Sequence, residues 1–410
     1  MMINRVTMLG HKDHGKSTLI GSLLIATDSV SEERLNEAKA YSKKLGRKFE
    51  PCFILDSFSE ERKGGLTIDT SRAQIKYKDS AFEFIDVPGH EELIKNMISG
   101  ASYASTALLV VSANGAEGIK PQTKRHVYLA KMLGIEKLIV AVNKMDTVGY
   151  SKTRFDEMSA ELTVFFKMIG MEEKHIHLVP ISAYNFDNLM KKSPKMKWYK
   201  GKPLLEMLIE STKQAHAAAG EANTRILIQG SMPHGEKTML IGNVASGRIK
   251  VGTEIKIMPS GQSAKIKSLF VKGLKKDVAA SGKNVAIELD KSIAGDSKGM
   301  VIYEKGSEPS GSAKRLDVLV FIVKRLGSKV TIKFNGIEVK GSLNIKKLID
   351  TTSGKEEAPR GEQELNAADA EIRLTRLISA EPFVRSRELG RFVIYQKKEF
   401  SGIGIINRVY

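Results

Sequence analysis

The chain has 410 residues, of which 41% are hydrophobic, one cysteine, and a formal charge of +18. That length is too great for one core and that composition too apolar for a disordered chain, so two or three packed domains are expected. The lone Cys52 excludes an internal disulfide, and no run approaches the roughly 18 apolar residues of a membrane-spanning helix; the best is "TALLVV".

The N-terminal "MMINRVTML" runs straight into a strand-like pattern without a cleavage site, so the expected location is the cytoplasm, with no membrane partner. The positive charge favours an anionic partner, RNA first, because cations that neutralise phosphates release counterions. Lysines spread over solvated faces are the plain alternative. Aromatics make up only 6%, and no basic stripe is interleaved with them.

From the N-terminus, short Val- and Ile-rich runs alternate with longer amphipathic ones. "NRVTMLG", "FEFIDV", "TALLVVSA", "KLIVAVN" and "IHLVPIS" read as strands. "STLIGSLLIAT", "HEELIKNMISGAS", "TKRHVYLAKMLG" and "RFDEMSAELTVFFKMIG" carry apolar residues at helical spacing. The alternation predicts an α/β domain over residues 1–214, a mostly parallel sheet with helices on both faces. "AHAAAGEANT" (Ala215 to Thr224) is small and polar and is expected to be a linker. After it, period-two runs such as "EIKIM" and "AKIKSL", punctuated by Gly, predict a small β-barrel over 225–306. A second break at "KGSEPSGSAK" (Lys305 to Lys314) precedes more strand text over 314–410, including "LDVLVFIV", "KVTIKFNGIEVKG" and "RFVIYQ".

The chemistry gathers in the first domain. Gly10-x-x-x-x-Gly15-Lys16-Ser17 follows a strand and opens a helix, the context of a phosphate-binding loop. Glycines let backbone N–H groups approach phosphates, so Asp13, His14, Gly15, Lys16, Ser17 and Thr18 are candidate nucleotide contacts. Lys16 would reach the β- and γ-phosphates, and the Ser17 hydroxyl would ligate Mg²⁺. "DVPGHE" follows the strand "FEFI", which places Asp86 to hold a Mg²⁺-bound water and Gly89 to offer its N–H to the γ-phosphate. "NKMD", comprising Asn143, Lys144 and Asp146, follows the strand "LIVAV". The Asp146 carboxylate can accept from both N1–H and the exocyclic amine of guanine; adenine lacks that donor pair, so the motif selects GTP or GDP. "SA" (Ser182, Ala183), again after a strand, suits a backbone N–H contact to guanine O6. Four such elements at strand ends put the ligand at the carboxyl edge of a parallel sheet.

Together "GHKDHGKST", "EERKGGLTID", "DVPGHE", "NKMD" and "SAY" resemble the GTPases of the translation-factor superfamily. Its nearest branch holds elongation factor one-alpha, elongation factor Tu and the GTPase subunit of ATP sulfurylase. The resemblance implies an α/β P-loop GTPase domain followed by two β-barrels, acting as a monomeric GTP-hydrolysing switch. It also implies that Thr67 ligates Mg²⁺ when the γ-phosphate is present and that His90 positions the attacking water. Two positions depart from the family pattern: Lys12 stands where relatives carry an apolar residue, and Gly64 where they often carry arginine. In relatives the apolar residue at the Lys12 position and the one at Leu66 are thought to gate the histidine, a role a lysine cannot fill.

The resemblance leaves the pathway open. A translation factor working with the ribosome or tRNA is the first reading, supported by the charge and by "VVSANGAEGIKPQT". A regulatory subunit of sulfate activation, partnered by an ATP-sulfurylase catalytic subunit, is the second; "TIDTSR", "SGRIKVG" and "MPSG" resemble that branch. The last domain is short and lacks a tRNA-facing "HTA" segment, which leaves room for a specialised paralogue such as a ribosome-rescue factor.

Overall fold

The structure is a computed structural model that describes residues 3–44, 46, 48–55, 71–86, 106–115, 119–135, 137–217, 223–234, 237–307, 312–359 and 363–410. It divides into two compact units, Met1–Ala215 with Thr351–Gly354, and His216–Asp350 with Lys355–Tyr410.

In the first unit Ile3–Leu9 (β1), Ser71–Tyr77 (β2), Ser80–Asp86 (β3), Thr106–Ser112 (β4), Lys137–Asn143 (β5) and Ile176–Pro180 (β6) form one sheet. Its order is β2–β3–β1–β4–β5–β6. All pairings are parallel except β2–β3, so the sheet is mostly parallel, as expected. β4 is buried along its whole length, which is why "TALLVVS" reads as a continuous apolar run rather than an alternating one. β2 is absent from the sequence-based reading. Its Ala73 and Ile75 are buried while Arg72, Gln74 and Lys76 are exposed, the pattern of a half-covered edge strand.

The described helices of this unit are Lys16–Ala26 (α1), Glu32–Lys44 (α2), Pro121–Met132 (α3), Lys152–Met168 (α4) and Leu204–Ala217 (α5). α4 starts where the Ser151 hydroxyl accepts the Arg154 N–H, and it buries Met158, Leu162, Phe165 and Phe166 on one stripe. Leu19, Ile20 and Leu23 of α1 and Leu204, Leu205 and Leu208 of α5 pack with Met8, Phe84, Val110 and Ile139 of the sheet in one core. α5 runs through residues 215–217 of the expected linker, because two of those three residues are alanine, the strongest helix former. The expected helix "HEELIKNMISGAS" lies outside the described residues.

The second unit holds two closed six-stranded barrels. In the first, Glu254–Met258, Val301–Glu304, Arg225–His234, Lys237–Ser246, Asn284–Leu289 and Gln262–Val271 follow one another around the barrel, the last pairing back onto the first. In the second the order is Lys329–Phe334, Arg391–Gln396, Glu399–Val409, Ala313–Ile322, Ala367–Ile378 and Ile337–Ile349, closed in the same way. One apolar core joins Met258, Val301 and Tyr303 of the first barrel to Val318, Val320 and Ile372 of the second. Beside it, Arg225 makes a bidentate pair with Glu381, at 2.6 and 2.7 Å. The Tyr303 hydroxyl donates to the same carboxylate at 3.2 Å.

Candidate functional site

The loop between β1 and α1 is shaped by its backbone. Gly10 (φ +131°) and Gly15 (φ +85°) adopt conformations that strain an L side chain. A Cβ at Gly10 would collide with the Val110 carbonyl oxygen, and one at Gly15 would stand 2.5 Å from Asn143 Nδ2. Between them residues 12–14 make one 3₁₀ turn, and α1 opens behind Gly15 with no side-chain cap and no acid in its first turn. The N–H groups of Lys16, Ser17 and Thr18 therefore have no intrahelical acceptor, and with the helix dipole they form a seat for an anion.

Lys16 is buried, and its Nζ donates to the carbonyls of Gly10 and His11 at 3.1 and 3.2 Å. The ammonium is thus held against the loop. Asp13 is exposed, with His11 Nδ1 3.6 Å away. His14 is fully buried, its Nδ1 3.2 Å from the Val110 carbonyl, so the imidazole packs on the sheet and only its backbone borders the loop.

A second group of residues comes from the ends of β5 and β6. Asn143, 2% exposed, spans two loops with one amide: Nδ2 donates to the His14 carbonyl at 3.0 Å, and Oδ1 accepts the Ala183 N–H at 2.9 Å. Lys144 is left-handed (φ +62°) and turns the chain into the short helical turn that carries Asp146. Asp146 Oδ1 accepts the buried Ser182 hydroxyl at 2.6 Å, while Oδ2 accepts from none of the described residues. One carboxylate oxygen is thus fixed and the other is open to an outside donor.

At the turn expected to offer a backbone N–H to guanine O6, the Ala183 N–H donates to Asn143 Oδ1. The N–H of Tyr184, the next residue, has no backbone acceptor among the described residues. Sequence reading also missed Ser22, fully buried on α1, whose hydroxyl donates to the Ala183 carbonyl at 2.6 Å. Its only signal was a polar residue inside the apolar run "IGSLLIA".

Asp86 ends β3, beside β1 at the carboxyl edge of the sheet, but its side chain and that of Lys12 lie outside what is described. Gly64, Leu66, Thr67, Gly89 and His90 lie outside the described residues altogether. Among the described residues no three His, Cys, Asp or Glu side chains converge on a metal position. The structure thus brings the loop 10–18, the turn 143–146 and the turn 182–184 together at the carboxyl ends of parallel strands, where open sheets bind ligands.

Residues 1–214 match the family described as elongation factor Tu GTP binding domain, and residues 320–407 match the GTP-eEF1A C-terminal domain-like family. Elongation factor 1-alpha of Aeropyrum pernix is 32% identical over 422 residues, covering 98% of this chain and 96% of that relative. Elongation factor 1-alpha of Plasmodium falciparum is 32% identical over 428 residues, covering 98% of this chain and 94% of its own length. Among solved structures, a bacterial selenocysteine-specific elongation factor, EF-Sec, is 24% identical with a TM-score of 0.47, covering 99% of this chain and 58% of that one.

Proposed function

The chain belongs to the elongation factor Tu family of translational GTPases, and from that premise we propose that it is a Mg²⁺-dependent cytoplasmic switch acting with the ribosome or tRNA. It binds guanine nucleotides and is a GTPase of the elongation-factor type. The observation that carries the residue-level reading is the Asn143 bridge, which ties the phosphate loop to the 182–184 turn while Asp146 keeps one oxygen open beside them.

In this reading the amides of Asp13, Gly15, Lys16, Ser17 and Thr18 and the Lys16 ammonium take the phosphates. Asp146 Oδ2 accepts from the guanine N1–H and amine, and the Tyr184 N–H donates to O6 in place of Ala183. The donor set fits Mg²⁺: the hydroxyls of Ser17 and Thr67 and the Asp86 carboxylate are hard oxygens, too few to enclose an ion without nucleotide phosphates. When bound, Mg²⁺ would neutralise charge on the β- and γ-oxygens. Gly89 donates to the γ-phosphate, and His90 orients the attacking water, so positioning carries the catalysis. Departure of the γ-phosphate removes the ligand assigned to Thr67 and Gly89, which is the change a partner can read.

The net charge of +18 supports an RNA-containing partner. No helix among the described residues is long and apolar enough to cross a membrane. The test is affinity capture of the full chain loaded with a non-hydrolysable GTP analogue or with GDP. Recovery of ribosomes or tRNA that depends on the nucleotide is expected. Recovery of neither, with an adenylyl-transferring subunit captured instead, would move the protein to sulfate activation.

A further inference from the structure

The turn that carries Asp146 and the turn that carries Ser182 are tied together a second time, by a polar cluster around Asp187. Residues 182–187 form a tight reversal in which Ser182 and Asp187 exchange backbone hydrogen bonds of 3.3 and 3.0 Å. The Asp187 carboxylate is 9% exposed and accepts from three donors: Tyr150 Oη at 2.9 Å, Ser193 Oγ at 2.7 Å and Lys195 Nζ at 3.2 Å.

Tyr150 belongs to the Asp146 turn. Its N–H donates to the Met145 carbonyl at 2.7 Å, and its backbone is left-handed at φ +59°. The Tyr150 hydroxyl also accepts Asn185 Nδ2 at 3.2 Å and Lys195 Nζ at 3.0 Å, and the Lys195 ammonium stands 4.9 Å from the centre of its ring. Trp198 Nε1 closes the group by donating to the Tyr150 carbonyl at 3.0 Å.

A carboxylate this deeply buried is costly unless its oxygens are satisfied, and a fully satisfied network is stiff. A left-handed tyrosine is a strained choice that persists only where its surroundings fix it. Both features sit in the two turns that must present Asp146 and Ser182 to a base. We propose that Tyr150, Asp187 and Lys195 are positioning residues for guanine selection. They clamp the 182–187 reversal to the Asp146 turn, so the base meets a preformed edge rather than one it must order. This rests on the guanine reading of Asp146.

The test uses Tyr150→Phe, which keeps the ring and removes the hydroxyl, and Lys195→Met, which removes a half-exposed cation. Affinities for GDP and for inosine diphosphate, which lacks the exocyclic amine, are measured in the full chain together with melting temperature. Both variants are expected to bind GDP about tenfold more weakly and inosine diphosphate less so, narrowing the preference about threefold at an unchanged melting temperature. Lys195→Arg is expected to retain the wild-type preference. Preference intact in both variants, whether or not the melting temperature falls, assigns the cluster to the fold alone and overturns the proposal. Equal weakening of the two nucleotides does the same. A wild-type protein that does not prefer GDP over inosine diphosphate overturns the guanine reading of Asp146, and the positioning role with it.

Discussion

Two deeply buried polar constellations, in different units, look alike by burial and pairing and differ in what surrounds them. Asn143 joins the phosphate loop to the 182–184 turn, and Arg225 with Glu381 joins the two barrels. Each places satisfied polar groups where few atoms meet water: Asn143 is 2% exposed, Arg225 8% and Glu381 3%. Around Asn143, however, stand an uncapped helix start and a carboxylate with one oxygen open. Around Arg225 and Glu381 the neighbours are the Asn223 carbonyl, Ser246, Tyr303, Ser379 and an apolar core, so the cluster answers to itself. Burial and pairing therefore do not mark a binding site; unspent donors and acceptors beside them do.

Mutations can break this contrast. The largest expected effect is at the barrels: Glu381→Ala strands the Arg225 guanidinium and should cost about 3–5 kcal/mol in denaturant unfolding. The paired replacement Arg225→Met with Glu381→Leu should recover most of that loss, because an apolar pair has no desolvation to offset. GDP affinity of the folded fraction should stay at the wild-type value in both; a fall would mean that the barrel cluster also serves the nucleotide.

Asn143→Ala should behave in the opposite way. It leaves the His14 carbonyl and the Ala183 N–H without their partner, at about 1–3 kcal/mol, and it should weaken GDP at least about tenfold by calorimetric titration. Lost stability without weakened GDP would reduce Asn143 to a structural strut.

A smaller effect is expected at high pH. Burial, reinforced by the Glu381 charge, pushes the Tyr303 phenol above its ordinary value. The folded chain then keeps a proton that the unfolded chain releases above a pH of about 10. Stability linked to Tyr303 is present below that pH and is lost as the pH rises toward the folded-state value. Tyr303→Phe should flatten the alkaline limb of the unfolding midpoint; an unchanged limb would remove Tyr303 from it.

Most of the catalytic unit was legible because its signals are local. Strands β1, β3, β4, β5 and β6 announce themselves by Val and Ile runs, and Gly10, Gly15 and Lys16 sit at fixed offsets on one loop. β2 was passed over because its apolar positions Ala73, Ile75 and Tyr77 alternate with Arg72, Gln74 and Lys76 in a short run without Val, and its antiparallel pairing depends on β3 being already in place. Ser22, Asp187 and Lys195 were invisible for another reason. Their partners, Ala183 for the first and Tyr150 for the other two, lie 161, 37 and 45 residues away, and nothing in the local text encodes such pairs. The bond from the Ala183 N–H to Asn143 had the same origin: it depends on where the Asn143 amide points, which a motif does not state.

We propose that Asp146, fixed by Ser182 and open at Oδ2, reads the guanine edge. Its most direct test is the preference of wild type and Asp146→Asn among GTP, xanthosine triphosphate and ATP, measured by competition. With its oxygen held by the Ser182 hydroxyl, an amide at position 146 turns an NH2 to the base, which donates to the xanthine 2-carbonyl but sets donor against donor at the guanine N1–H and amine. Wild type should be selective for GTP, and the variant should lose about 1.5–3 kcal/mol toward GTP and turn to xanthosine triphosphate. Undiminished preference for GTP in Asp146→Asn would contradict it.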